Sequence, residues 1–541
     1  MNRNVVLSVS LIVIFTFFIY YDVLNIFYQQ DEWQTIGNNI TLSNFWDIFS
    51  NANLLSFISV QERFASNVLS YFLMGKNAFT INLMGVYSIF FHLVNTILVF
   101  TIVRKWVIKD SMPAALAAIF FAVSSVSLSA VSWFGTSLGT LPAVTLILLA
   151  LFFYFLYIQK GSKKWITLAL VTLYASFFFK EIGIFLLTLL PLALFVIKSN
   201  KASKWLTCVF AFVFFLVVAL RVINLVYLSN RSGELFVTSS QPNLLPTVFT
   251  RAIMYPLTSF SLTFLPPVLL ISTAKSFTNI YYPTIPSQEF NLVAQTAVLD
   301  LLATIATFTL IILLYLSTKK EDIAAKKMTM FWIIFFFLSF MPYILLGKTY
   351  AYLESRYYYL GNLPAGILLA MLTTSLKKYL DKKNIGIIAV VLAAGFLMSH
   401  SYYLKKDLSE LVLISKERKE ILSKISKIKP SLDQKNLFYL ESNHDYYIPG
   451  NYLPFQQGLG YTLMVWYYHQ GKVPKEFIED KFLWNINTQG YKELNGFGFG
   501  FVRERDELEK IMREHNLSSN QITYLYYDYV SQKLEKRESL K

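Results

Sequence analysis

The chain has 541 residues, of which 55% are hydrophobic, 17% aromatic and only 15% charged, with a mean hydropathy of +0.47. That balance excludes a soluble protein of this length and leaves a multi-span membrane protein. The net charge of +15 sits in short Lys/Arg clusters between apolar runs, so it reads as a topology signal and implies no nucleic-acid partner.

Apolar runs of about 20 residues recur from the N-terminus to about residue 403. They predict eleven α-helical spans near 5–27, 81–103, 113–132, 137–158, 165–179, 182–197, 205–228, 296–317, 328–346, 359–376 and 385–403. The first has Arg3 and an apolar core but ends in "IYYDVLN" without a small-residue cleavage site, which predicts a retained anchor. The stretch 252–274 is also apolar, but prolines at 256, 266 and 267 interrupt it. It is expected to form a re-entrant or interfacial pair, as irregular backbone buried in protein permits.

Positive charge sets the orientation. Arg3 and the clusters at 104–109, 160–164, 198–204, 319–327 and 377–383 fall on one side, predicted cytoplasmic together with the N-terminus. Asp31, Glu32, Glu62, Glu181, Glu234 and Glu354 fall on the other. An odd number of spans then places the C-terminal region outside the cell membrane. The expected organisation is a transmembrane domain over 1–403 with exterior loops at 28–80 and 229–295, an exterior helix over 404–430, and a small exterior mixed α/β domain over 431–541. Cys208 is the single cysteine, so no intrachain disulfide forms.

Within the first exterior loop, "LSNFWDIFS" and "ERFASNVLSYFLMG" carry apolar residues at helical spacing and predict short helices along the membrane surface. In the tail, "NLFYLES" and "QITYLYYDYV" read as strands, and "GFGFVRERDELEKIMREHNLS" as strand then helix. "GFGFG" lacks the strand–helix setting of a nucleotide loop.

The polar residues at the membrane boundary are the candidate site. Asp31 and Glu32 follow directly on the first span and precede Trp33. Ionisable groups at membrane depth mark sites more often than they mark mere span ends. A carboxylate there can accept a proton from a hydroxyl nucleophile or ligate a divalent cation. Arg63 lies in a loop that otherwise avoids positive charge, and guanidinium grips phosphate in a fork. His92 and Asn95 lie three apart on one helix face, suited either to an interhelical hydrogen-bonding pair or to a site. Lys180-Glu181 is either a self-neutralising turn or part of the site. In "YLESRYYYLGNLPAG", Glu354 and Arg356 lead into Tyr357, Tyr358 and Tyr359, a platform for phosphate or sugar. Arg221 and Asp300 lie near the outer ends of predicted spans, without assigned chemistry.

Taken together, these residues resemble the C-type (GT-C) membrane glycosyltransferases, especially the protein O-mannosyltransferase branch. The resemblance covers about residues 1–400. It rests on "DE" at 31–32, on "ERFASNVLSYFLMGKNAF" running on to "FHLVN" with Arg63, Gly75, Asn77, His92 and Asn95 in register, on "KE" at 180–181 and on "ESRYYYLGNLP" with Arg356. Arg63-Phe64 stands where the family has Arg-Pro, "ESRY" replaces "ERY", and tetratricopeptide repeats are absent.

The resemblance implies transfer of a sugar from a polyprenyl-phosphate donor to a protein or glycan acceptor, with inversion. Asp31 would be the base, and Glu32 would position substrate or hold a divalent cation. Arg63, His92, Lys180, Glu181, Arg356 and Tyr358 would bind substrate. The competing classes are a transporter or flippase of the lipid-linked sugar and a ligase or polymerase of whole glycans.

Overall fold

The computed structural model describes residues 3–29, 32–42, 44–50, 63–79, 81–198, 208–220, 223, 244–281, 288–319, 321–344, 353–380, 385–443, 459–474, 476–479, 490–528 and 530–538. Asp31, Glu62, Arg221 and Glu234 lie outside them. The chain divides into two units. The first comprises Met1–Tyr21, Asn51–Ser66 and Val86–Leu408, and the second Asp22–Ser50, Asn67–Gly85 and Ser409–Lys541.

Five helices, lying in the first unit except for residues 22–25 and 83–85, are long and apolar enough to cross a membrane: Arg3–Asn25, Leu83–Val107, Phe134–Lys160, Val293–Thr318 and Ile323–Tyr343. Two bent pairs raise that number to as many as seven among the described residues. Several of the eleven expected spans are shorter than their apolar runs suggest. Lys163–Phe177 has 15 residues, about 22 Å of helix against a hydrocarbon core of about 30 Å.

Both bends have identifiable causes. Ser111–Val123 and Ser125–Ser132 meet at 50°, where Ser124 leaves the helical region at φ −57°, ψ 121°. Pro246–Phe264 and Pro267–Ile280 meet at 109° across Leu265-Pro266, where a proline pair supplies no N–H to continue the helix. This second bend falls in the stretch expected to be re-entrant or interfacial.

The backbone groups released at both breaks are satisfied by His400, which is fully buried. Its Nδ1 lies 3.1 Å from the Ser125 N–H, and its Nε2 lies 3.0 Å from the Phe264 carbonyl oxygen. A carbonyl can only accept and a peptide N–H can only donate, so Nε2 carries the proton and Nδ1 is the acceptor. Thr307 acts similarly inside Leu244–Phe264. Its hydroxyl receives the Ser261 N–H at 3.1 Å and donates to the Leu257 carbonyl at 2.6 Å, entering the helix ladder there.

The helix expected over 404–430 is instead the continuation of a single helix, Ile385–Ile428, of 44 residues. The change from apolar to charged composition near residue 404 does not interrupt the backbone. No glycine or proline stands between Gly395 and Pro430, so nothing stops the helix earlier. Its residues up to Leu408 belong to the first unit and those from Ser409 to the second.

The second unit contains a five-stranded sheet: β1 (Lys435–Ser442), β2 (Gly490–Leu494), β3 (Phe497–Val502), β4 (Ile522–Asp528) and β5 (Lys533–Lys536), in the order β2-β3-β1-β4-β5. β1 pairs in parallel with β3 and β4, and the two edge strands are antiparallel. Leu437 and Tyr439 of β1, Val502 of β3 and Tyr524 of β4 form one core with Leu508 and Ile511 of the helix Arg505–Glu514. On the alternate residues of β1, Phe438 meets Tyr467 of the helix Leu459–His469. Gly498 and Gly500 of "GFGFG" have a packing reason. A Cβ on Gly498 would lie 1.8 Å from the Tyr491 hydroxyl oxygen, so the tyrosine ring on β2 requires a bare backbone beside it.

Candidate functional site

Four charged residues of the first unit, Arg63, Glu181, Glu354 and Arg356, act on Lys180. The helix Lys163–Phe177 ends in a tight turn in which Phe179 and Lys180 both donate their N–H to the Ser176 carbonyl, and a 3-10 turn begins at Glu181. The Ala65 N–H donates to the Phe178 carbonyl at 3.1 Å, which fixes the Arg63 segment to this turn. Gly139 permits the approach from the other side. A Cβ there would stand 3.1 Å from the Phe179 carbonyl oxygen and 3.3 Å from the Ser66 hydroxyl.

The Arg63 guanidinium lies in a two-point arrangement on Glu181, Nε to Oε2 at 3.3 Å and Nη2 to Oε1 at 3.2 Å. Lys180 donates from Nζ to the Thr140 hydroxyl at 2.8 Å. Arg356 comes from a separate segment, anchored by Ser355. The Ser129 N–H donates to the Ser355 hydroxyl at 3.0 Å, and that hydroxyl donates to the Ser129 hydroxyl at 2.6 Å. This anchor places the Arg356 guanidinium over the Trp133 ring at 4.4 Å and over the Tyr357 ring at 5.0 Å. Tyr357 in turn meets Tyr343, ring centroids 4.5 Å apart. Arg356 Nε lies 2.7 Å from Glu354 Oε2, but the pair lacks hydrogen-bond alignment and is a charge contact.

Three cations therefore face two carboxylates in one neighbourhood. Burial pushes the Lys180 ammonium down to about 7, with Arg63 and Arg356 adding to the shift and Glu181 and Glu354 opposing it. An amine in that setting gains from an arriving anion, which relieves the repulsion and supplies a counter-charge. Rigid guanidinium forks and a poised ammonium are suited to a phosphate group.

His92 and Tyr358 are fully enclosed. The His92 Nε2 lies 3.0 Å from the Ala122 carbonyl and Nδ1 lies 2.7 Å from the Tyr359 hydroxyl. The carbonyl assigns the ring proton to Nε2, so Tyr359 donates to Nδ1 and accepts from Asn95 Nδ2 at 3.2 Å. Asn95 Nδ2 also donates to the Leu141 carbonyl at 3.1 Å, and Thr145 donates to its Oδ1 at 2.7 Å. His92 and Asn95 thus join three helices and the turn that carries Tyr359 in one hydrogen-bonded network. The Ser259 hydroxyl donates to the Tyr358 hydroxyl at 3.3 Å. The tyrosine that touches Arg356 is Tyr357. Asp300 lies on the helix Gln288–Thr318.

In the second unit, Glu32 begins the short helix Glu32–Ile40 and is 1% exposed. Its Oε2 accepts the Gln29 N–H at 2.7 Å. Trp33 packs against Phe27 and Phe79, with centroids 5.5 and 5.9 Å away. Phe79 holds φ at +72°, a left-handed conformation that a phenylalanine adopts only where packing fixes it. Its ring lies 4.2 Å from that of His469 and 5.4 Å from that of Trp466. Gly75 and Asn77 lie on this unit. A Cβ on Gly75 would meet Asn39 Cβ at 2.9 Å, and Asn77 Nδ2 donates to the Phe72 carbonyl at 2.8 Å. Among the described residues, no group of three or more His, Cys, Asp or Glu side chains is gathered as a metal cage.

Sequence reasoning missed Trp133, Thr140 and Ser355. Trp133 had a readable signal, because it breaks the apolar run at a serine-rich helix end. Thr140 and Ser355 carried none, since a hydroxyl within or beside a span is unremarkable on its own.

The helices and their apolar faces define a polytopic α-helical membrane protein. No family model matches the chain, and no curated protein does. Among solved structures, the chain is similar to ArnT from Cupriavidus metallidurans in the apo state, at 12% identity over 96% of this chain and 92% of that one, with a TM-score of 0.33.

Proposed function

We propose that the chain is a membrane glycosyltransferase that moves a sugar from a polyprenyl-phosphate donor to a hydroxyl of an exterior protein or glycan acceptor. The observation that supports this reading is the excess of cations around Lys180. Arg63, Lys180 and Arg356 meet Glu181 and Glu354, which leaves one positive charge when Lys180 is protonated. A phosphodiester donor brings one negative charge, and its phosphate leaves with more. Cations placed where that charge develops lower the barrier to leaving.

In the reaction proposed, the acceptor oxygen attacks the anomeric carbon on the face opposite the phosphate. The carbon–oxygen bond to phosphate breaks, the phosphate keeps the electron pair, and the hydroxyl proton passes to the Asp31 carboxylate. Configuration inverts. Glu32 positions substrate, or together with Asp31 holds a divalent cation. The N-terminus is cytoplasmic, and the acid pair and the C-terminal α/β domain are exterior, as the Lys/Arg distribution implies.

A second reading, movement of the lipid-linked sugar across the bilayer without chemistry, draws on the two bent helix pairs, since interrupted helices are frequent in transporters. One experiment separates the two. Purified protein is incubated with polyprenyl-phosphate sugars and a hydroxyl acceptor in detergent, where there is no bilayer to cross. Release of free polyprenyl phosphate with glycosylated acceptor supports transfer, and recovery of intact donor refutes it.

A further inference from the structure

We propose that Arg418, on the C-terminal half of the helix Ile385–Ile428, is the counter-ion that holds Glu32 in place. This makes Arg418 a positioning residue for the acid pair, and its role in catalysis rests on the reading given above. Both side chains are buried in the second unit, Glu32 at 1% and Arg418 at 6% exposure. A guanidinium at that depth is tolerated where a carboxylate faces it, because two uncompensated charges would each carry their full desolvation cost.

The neighbouring acids leave Glu32 as that partner. Glu417 is turned to the sheet, where the Tyr527 hydroxyl of β4 donates to it. Burial lowers the Arg418 pKa to about 10, and the first charge opposing that shift is Glu32, ahead of Glu417. Tyr28 also lies near Glu32, and burial pushes its hydroxyl up.

The surrounding frame fixes the distance between the two elements. Trp466 donates from Nε1 to the Ser426 hydroxyl at 2.7 Å, about two turns along the helix from Arg418. From the same helix as Trp466, Tyr461 donates to the Gln34 carbonyl and Tyr468 to the Ile40 carbonyl, both at 3.4 Å. One helix, Leu459–His469, thus binds the helix that carries Arg418 and also the two ends of the helix that starts at Glu32. The C-terminal region is, on this inference, part of the machinery that aims the acid pair.

The test is a double-mutant cycle in the full chain, with Glu32→Gln, Arg418→Gln, the pair together, and Arg418→Lys as the conservative variant. In thermal unfolding in detergent, each Gln variant should melt earlier than the wild type. The double variant should melt no earlier than the worse single variant, and Arg418→Lys should recover part of the loss. Strictly additive losses would overturn the ion pair. In transfer assays normalised to folded protein, Arg418→Gln should lower kcat on the order of 100-fold while donor KM changes by less than about twofold, as for a misplaced catalytic group. An unchanged kcat would overturn the positioning role even if the cycle shows coupling. Failure of the wild-type chain to transfer sugar would sink the proposed activity, and the unfolding cycle would then decide the Arg418–Glu32 pair by itself.

Discussion

Lys180 offers a sharp test of the phosphate site, because its protonation can be followed without mutating the protein. Burial, then Arg63 and Arg356, bring its ammonium down to about 7 against an ordinary value of 10.5. At neutral pH about half of the unliganded protein therefore carries a neutral amine, and an anionic donor selects the protonated half. The apparent Kd for the donor equals the intrinsic Kd divided by the protonated fraction, so moving from pH 7 to pH 8 should weaken binding about fivefold, and each further unit about tenfold. Binding should also take up about half a proton at pH 7. Isothermal titration with a polyprenyl-phosphate sugar, in two buffers of different ionisation enthalpy, measures that uptake directly. The Lys180→Met variant should bind weakly with no pH dependence over this range. The unliganded protein adds a check of sign. Between about 7 and 10.5 the unfolded chain holds a proton at Lys180 that the folded chain has lost, so this group makes stability rise with pH across that window. A donor Kd that stays flat from pH 6 to 9, with no proton uptake, would refute the assignment of Lys180 to the phosphate.

Replacing Arg356 by Lys keeps the charge but loses the planar fork over Trp133, and donor kcat/KM should fall about tenfold, with Arg356→Ala lower still. Gly139→Val should push against the Phe179 carbonyl and displace the Lys180 turn, lowering donor affinity and melting temperature together, with Gly139→Ala milder in both. His400→Ala should leave the Ser125 N–H and the Phe264 carbonyl without their side-chain partner, at a cost of about 1–3 kcal/mol for each buried group, read from thermal unfolding in detergent. Asp31→Asn should abolish transfer while the protein remains inserted and melts as the wild type does, because the amide keeps the shape but takes up no proton.

Much of the architecture was legible because hydrophobic period and proline placement act locally. The strand expected at 436–442 is found at Lys435–Ser442, and the run 521–530 contains Ile522–Asp528. Of the interruptions expected at Pro256, Pro266 and Pro267, the last two give a 109° bend, whereas Pro256 lies inside the helix Leu244–Phe264. The two edge strands were missed because "GYKEL" and "KLEK" are short and polar, and only their pairing with β3 and β4 makes them strands. Span lengths were overestimated where an apolar run continues through a turn, since composition does not mark where a helix ends. At the site, single charged residues were readable as exceptions to the charge pattern of their loops. Their pairing was not. Nothing local to Arg63 points to Glu181, which is 118 residues away, and Arg418 lies inside a run of lysines, arginines and acids that looks like a solvated helix face.

The charged cluster of the first unit can exist among apolar helices because irregular backbone has been concentrated around it and then satisfied. Trp133 follows the bent helix pair whose break at Ser125 is held by His400, and Ser129 of the same short helix binds Ser355, next to Arg356. Lys180 follows a turn that closes on Ser176 and accepts the Ala65 N–H at Phe178. In each case a peptide group released from a helix is taken up by another group of the protein, which is the condition for non-helical backbone at membrane depth. Side chains on such turns stand clear of the helix ladder and can face one another from separate segments, as Arg63, Lys180 and Arg356 do. A continuous helix would have carried the same residues to different faces and levels. The buried serines, threonines and histidine around the breaks therefore serve the site through the backbone: they fix the turns, and the turns bring the cations together.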